Sequence, residues 1–212
     1  MGGSGHEFLP LVLSIGMTLT TAAYAGGENF DGAKPGTLPE DWTCGVTGKG
    51  SPVWKVEADN SAPSQPNVLK QSGSGTFPWC VKPSVRIADG FVEVKFKPLA
   101  GREDQAGGVL WRFKDGNNYY IARANALENN VRLYTVKGGK RQQIASYSGK
   151  VTGNAWHVFR AVAKGDHLEV FWDGAKVLDH RDATFADAGA VGVWTKADSV
   201  TYFDDLSVKP AP

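Results

Sequence analysis

Apolar and polar residues alternate with a period of two along most of the chain, and no stretch sustains a helical period over several turns. Alternation of this kind sends successive side chains to opposite faces of an extended strand, so it predicts an all-β protein. The clearest strands are residues 90–97, 108–113, 118–125, 130–136, 155–162, 167–172, 190–194 and 199–203. Between them, Asp115-Gly116-Asn117, Gly138-Gly139, Lys164-Gly165-Asp166 and Asp173-Gly174 supply residues that tolerate positive φ in tight turns. Many short antiparallel strands at this spacing predict a two-sheet sandwich. Residues 43–75 are rich in Gly, Pro, Ser and Asn and predict long loops over one sheet, with short strand-like pieces at 53–57 and 67–71.

The alternation also sorts faces. Val92, Val94, Phe96, Val109, Trp111, Phe113, Tyr120, Ala122, Val131, Leu133, Phe159, Ala161, Leu168, Val170, Trp172, Val191 and Val193 form the predicted core. The opposite face carries Glu93, Lys95, Arg112, Tyr119, Arg123, Asn125, Arg132, Tyr134, Arg160, Glu169, Phe171 and Trp194. Four arginines among aromatic and amide neighbours suit sugars or carboxylates, because guanidinium forks and amides bind hydroxyl and carboxylate oxygens. The alternative is a set of cross-strand ladders that stiffen the sheet, each pair contributing about 0.2 to 1 kcal/mol.

Composition narrows the classes. With 23 Lys+Arg against 22 Asp+Glu the net charge is +1, which excludes a strong electrostatic claim on nucleic acid or anionic membrane. A hydrophobic share of 42%, with 7 Trp, 6 Tyr and 10 Phe, is ample for one core, so residues 26–212 are expected to form a single sandwich domain. Residues 1–25 are expected to be a signal peptide or an added leader. The apolar stretch at residues 9–19 precedes the small-x-small pattern Ala23-Tyr24-Ala25, although the opening Gly-Gly-Ser-Gly lacks a basic residue. That stretch is too short to span a bilayer. Export fits the two cysteines, Cys44 and Cys80, which are expected to form one bridge, the alternative being two buried free thiols. No zinc-type Cys/His spacing, nucleophile elbow or phosphate loop is present in the sequence.

Several segments carry a resemblance. They are Asp104-Gln-Ala-Gly-Gly-Val-Leu-Trp-Arg112, Asn118-Tyr-Tyr-Ile-Ala-Arg-Ala-Asn125, Glu128-Asn-Asn-Val-Arg-Leu-Tyr134, Val170-Phe-Trp-Asp-Gly174 and Val191-Gly-Val-Trp-Thr-Lys-Ala-Asp-Ser-Val200, followed by Phe203-Asp-Asp205. Together they resemble exported bacterial proteins with the concanavalin A-like, laminin-G-like jelly roll. That superfamily includes family-16 glycoside hydrolases and the domain labelled 3-keto-disaccharide hydrolase. The similarity covers residues 28–208 and implies an antiparallel jelly-roll sandwich, an exported periplasmic or extracellular location in a bacterium, and a glycan or other polyhydroxylated or acidic ligand. It also implies no resident cofactor except a structural calcium where the first and last strands meet. Asp31, Asp204 and Asp205 are the candidate ligands for such an ion, and the alternative is that they mark turns and strand ends.

The leading expectation is therefore a carbohydrate-binding, lectin-like module that uses Arg112, Tyr119, Arg123, Asn125, Arg132 and Trp194. The first alternative is a glycoside hydrolase or lyase with Glu93 or Asp198 as acid/base. The family-16 arrangement of carboxylates on one strand is missing here, since Glu93 has no acidic neighbour at the required spacing. The second alternative is a structural or adhesive envelope protein.

Overall fold

A computed structural model describes residues 1–3 and 26–211 of the chain. The expected leader at residues 1–25, with its apolar stretch and cleavage pattern, falls almost wholly outside the described residues. Among the described residues there are only strands, turns and loops, and no helix is long and apolar enough to cross a membrane.

Among the described residues fifteen strands form two antiparallel sheets. In chain order they are β1 (Gly26–Glu28), β2 (Thr43–Ser51), β3 (Trp54–Ala58), β4 (Asn67–Gln71), β5 (Ser74–Ile87), β6 (Gly90–Ala100), β7 (Ala106–Asp115) and β8 (Asn118–Asn125). They continue with β9 (Asn130–Lys137), β10 (Lys140–Ser148), β11 (His157–Lys164), β12 (His167–Trp172), β13 (Ala175–Arg181), β14 (Gly189–Trp194) and β15 (Val200–Pro210). The first sheet runs β13-β12-β11-β6-β15-β4-β3, with β1 also paired to β15, and the second runs β10-β9-β8-β7-β14-β5-β2. This is the expected jelly-roll sandwich. All eight strands legible in the alternation are present, as are the pieces at 53–57 and 67–71. The segment expected to be mostly loop also contributes β2 and the start of β5.

The two inner faces meet in one core. Phe96 of β6 packs against Phe159, Trp172 and Phe203, with ring centroids 6.1, 5.8 and 6.2 Å away. From the second sheet, Trp111 and Tyr120 stack at 5.4 Å. Gly107 is required where it stands, because a Cβ there would lie 2.5 Å from the Phe96 ring. Every predicted core residue but Phe113 belongs to this cluster.

The exception has a local cause. At Arg112 the backbone takes φ 48° and the β7–β8 register breaks between Trp111 and Asp115. A bulge of this kind reverses the faces beyond it. Phe113 therefore turns outward onto Trp79, at 4.9 Å. The Arg112 side chain turns inward and ends in the loops at one rim of the sandwich. Its nitrogens donate to Ala88 O, Phe185 O and Gly165 O and approach Asp89 Oδ1 at 3.2 Å. Arg112, expected on the binding face, is thus a buried clamp on three loops.

The bridge forms between directly opposed residues of β2 and β5, Cys44 and Cys80, with Cα atoms 4.0 Å apart. It closes a loop with a sequence separation of 36, worth about 3 to 4 kcal/mol in the chain-entropy account. Replacing both cysteines by Ala is expected to lower the unfolding free energy by about that amount, read by urea denaturation against the oxidised protein. An unchanged midpoint would show that the β2–β5 pair holds without its covalent tie.

Candidate functional site

The outer face of the second sheet carries a cluster of its own. Tyr119, Ile121, Tyr134, Val136, Trp194, Val81, Leu110 and Phe113 are buried there, with Phe77 and Trp79 packed against them. Gly45, opposite Trp79 in β2, leaves room for the indole, since a Cβ would lie 2.5 Å from it. Trp194 stacks on Phe77 at 5.6 Å, and the Tyr119 hydroxyl meets Thr47 Oγ1 at 2.7 Å and accepts from Trp194 Nε1 at 3.4 Å.

One contact fixes the shape of this face. The Arg141 guanidinium, on edge strand β10, lies 4.4 Å from the ring centres of both Phe77 and Tyr134 and 5.8 Å from Trp194. Phe77 is on β5, five strand positions away. In a flat sheet that separation is roughly 24 Å at about 4.8 Å per strand, beyond the reach of the two side chains. The sheet therefore curls over its outer face into a trough, with Arg141, Phe77, Tyr134 and Trp194 as its floor.

Beside the floor sits a charged network centred on Glu128. Arg123 Nη2 donates to Glu128 Oε2 at 2.8 Å and to the Tyr134 hydroxyl at 3.1 Å, and Arg123 Nη1 donates to Asn130 Oδ1. Arg132 Nη1 approaches the same Glu128 oxygen at 3.2 Å, and Asn130 Nδ2 donates to it at 3.0 Å. Lys196 reaches Asp104 Oδ2 at 2.7 Å and Glu128 Oε1 at 4.0 Å. Burial works against the Glu128 charge, but the Asn130 amide and the Arg123 and Arg132 guanidiniums outweigh it and draw the carboxyl down to about 2. Burial pushes the Arg141 guanidinium below its ordinary value, and nearby Arg123 acts in the same direction.

The donors exceed the acceptors. Arg123 Nε, Arg132 Nε and Arg141 Nη1 are buried and have no protein acceptor. The floor opens on a groove of about 510 Å³ whose walls include Lys49, Thr76, Phe77, Glu103, Arg141 and Lys196, a size typical of small-ligand sites.

The expected binding residues divide. Arg132 lies partly exposed beside this trough, whereas Arg123, Trp194 and Tyr119 are fully buried beneath it, where they shape the floor and do not reach a ligand. Asn125 is buried at the margin, donating to Asp104 Oδ1 at 2.6 Å and accepting from Leu127 N at 3.0 Å. Arg112 faces the core. Arg160 and Glu93 lie on the other sheet, paired to each other at 2.6 Å. Asp198 accepts the backbone N–H groups of Arg102, Glu103 and Asp104. Burial would raise its carboxyl, yet those donors hold it below the ordinary carboxylate range. Glu93 lies on the first sheet and Asp198 in the loop between β14 and β15, and both are spent on structural partners.

The candidate calcium ligands are likewise engaged. Asp31 accepts from Asn67 N at 3.0 Å and Asn29 Nδ2 at 2.8 Å, Asp204 accepts from Ser64 N at 2.9 Å, and Asp205 pairs with Lys95 at 2.7 Å. Among the described residues the one trio of His and acidic side chains whose ligand atoms converge is His167, Glu169 and Asp179, where Lys176 already binds both carboxylates.

The alternation did not single out Glu128, Arg141, Phe77, Lys196 or Asp104. Arg141 was reachable from the Gly138-Gly139 turn: the tight hairpin pairs Lys137 with Lys140, which sets Arg141 opposite Val136 on the outer face. Phe77 was reachable from the spacing Phe77, Trp79, Val81, which Pro78 obscures.

No family model matches the chain. A levanase from Bacillus subtilis (strain 168) is 26% identical over 104 residues, which are 48% of this chain and 15% of the levanase. The chain therefore spans only a small part of that relative. Among solved structures, carbohydrate-binding module CBM66 from Bacillus subtilis superposes with a TM-score of 0.65 at 20% identity, covering 78% of this chain and 93% of the module. A β-glucanase from Bacillus licheniformis superposes with a TM-score of 0.60 at 9% identity, covering 87% of this chain and 97% of the enzyme. The chain thus has the jelly-roll fold that sugar-binding modules and glucanases share.

The Glu128 network carries a pH signature. The folded carboxyl stands at about 2 against an ordinary 4.5, so the unfolded chain binds this proton more tightly. The resulting stabilisation is present above about pH 4.5 and fades as the pH falls toward 2. Glu128→Gln is expected to lose on the order of 2 kcal/mol at pH 7, with the gap to the parent narrowing at pH 3 in parallel urea titrations. A gap of equal size at both pH values would assign the loss to packing.

Proposed function

We propose that the chain is an exported carbohydrate-binding module whose ligand lies in the trough of the second sheet. The observation that carries this reading is a groove of ligand size walled by donors: Lys49, Arg141 and Lys196 border about 510 Å³ of open space, with Glu103 as the acidic residue of its wall. Arginine and lysine donate and never accept, so the groove suits a ligand dense in oxygen acceptors, as sugars are. The likeness to CBM66 and the partial match to a levanase support the same class. Export is supported by the Cys44–Cys80 bridge, which requires an oxidising compartment.

Hydrolysis is the weaker reading. Glu103, Asp104 and Glu128 are the carboxylates at the trough, the last two joined through Lys196. A glycosidase needs one such group protonated at working pH. Glu128, drawn down to about 2, is a fixed acceptor instead.

The test is titration calorimetry against soluble glycans, with levan as the first ligand because of the levanase match, together with overnight assay for new reducing ends. Binding without turnover is expected. Arg132→Ala is expected to weaken it by about ten-fold or more, the cost of one charged hydrogen bond, and Glu93→Gln on the other sheet to leave it unchanged. Reducing ends that vanish in Glu128→Gln would make the protein an enzyme, and binding indifferent to Arg132→Ala would place the ligand elsewhere.

A further inference from the structure

We infer that the sugar taken by this groove is acidic, its carboxylate meeting Arg141 with Lys49 and Lys196 on either side. The inference rests on the carbohydrate reading above and adds the class of sugar.

Three features lead to it. The first is charge. Five cations, Lys49, Arg123, Arg132, Arg141 and Lys196, border the groove or lie beneath it, with Glu103, Asp104, Glu128 and Asp198 as their acidic neighbours. Asp198 is spent on three backbone N–H groups, and Glu128 is shared by two arginines. The groove's own wall holds Lys49, Arg141 and Lys196 against Glu103, so it keeps a positive surplus.

The second is Arg141 itself. Arg123, Arg132 and Lys196 each have a carboxylate, whereas among the described residues Arg141 has none within ion-pairing distance, and its Nη1 is buried without an acceptor. A largely buried guanidinium that lacks a counter-ion is costly, and a carboxylate brought by a ligand into the groove that Arg141 lines would supply the counter-charge and a charge-assisted hydrogen bond at its accessible edge.

The third is what the floor does not offer. Neutral sugars are commonly held by stacking on an open aromatic face. Here Phe77 is covered by Arg141 at 4.4 Å and by Trp194 at 5.6 Å, and Tyr134 by the same guanidinium at 4.4 Å. With its rings already stacked, the groove presents cationic donors to a guest, which selects for negative charge.

The experiment compares matched probes: oligosaccharides ending in glucuronate and the same oligosaccharides ending in glucose, titrated calorimetrically into the full chain. The glucuronate series is expected to bind at least about ten-fold more tightly. Its affinity is expected to fall as salt rises from about 0.01 to about 0.15 M, where screening shortens from about 30 to about 8 Å. Arg141→Gln should bring the two series within about two-fold. Lys49→Gln, on an exposed wall residue outside the packed floor, should shrink the preference without touching the thermal midpoint, which keeps the test valid if the Arg141 variant unfolds. Equal binding of both series overturns the acidic assignment and leaves the carbohydrate reading standing. Failure of both series, and of every neutral glycan tried, removes both.

Discussion

A guanidinium taken out of water must recover its lost hydration from neighbours, and the trough of the second sheet depends on how three arginines do so together. Arg123 and Arg132 share one carboxylate, Glu128, and Arg141 is held between two rings, an arrangement worth on the order of 1 to 2 kcal/mol when desolvated. The arrangement works only if the sheet curls far enough for β10 to approach β5. Curvature, ring stacking and charge pairing are therefore one constraint, and each of the floor residues is needed by the others.

The two outer faces answer the same alternation differently. On the first sheet, Glu93 pairs with Arg160, Glu57 with Lys70, Asp205 with Lys95, and Lys176 with both Glu169 and Asp179. These are solvated pairs, all but Lys176–Asp179 reaching across neighbouring strands, each worth at most about 1 kcal/mol, and they match donors to acceptors. The second sheet buries Arg123 completely and leaves guanidinium nitrogens of Arg123, Arg132 and Arg141 unmatched. The stiffening ladder, one of the two alternatives drawn from the sequence, is present on the first sheet, and the face proposed for binding lies on the second.

That division marks the limit of what alternation reveals. Period two separates inside from outside, so the core was legible almost residue by residue, but it does not say which sheet a strand joins. Arg123 and Arg160 look alike in sequence and lie on opposite sides of the molecule. Arg112 was misplaced because its bulge is a backbone event, a φ of 48° that no flanking glycine announces. Strands β10 and β13 escaped because edge strands keep many exposed residues and so lose the apolar rhythm. β5 escaped because Pro78 and Pro83 interrupt its pattern. Glu128 stood in plain sight within a quoted motif, yet its role as the shared counter-ion follows from the Asn125–Asn130 turn that folds it back over Arg123, a tertiary fact.

The bridge gains a second meaning once the trough is in view. Cys44 and Cys80 join β2 to β5, and these strands carry Phe77 in the floor and Lys49 and Thr76 in the groove wall. β2 is an edge strand with glycines at 45, 48 and 50 and a register break between Thr47 and Gly50, a weak element by its own propensity. Without a covalent tie, this wall is the part of the trough with the least holding it, so fraying there would widen the groove and uncover the Phe77 ring. A carboxylate site loses selectivity when its cations can drift apart and water can enter between them. The bridge thus ties the strand that carries Lys49 to the strand that carries Phe77, the ring that Arg141 covers.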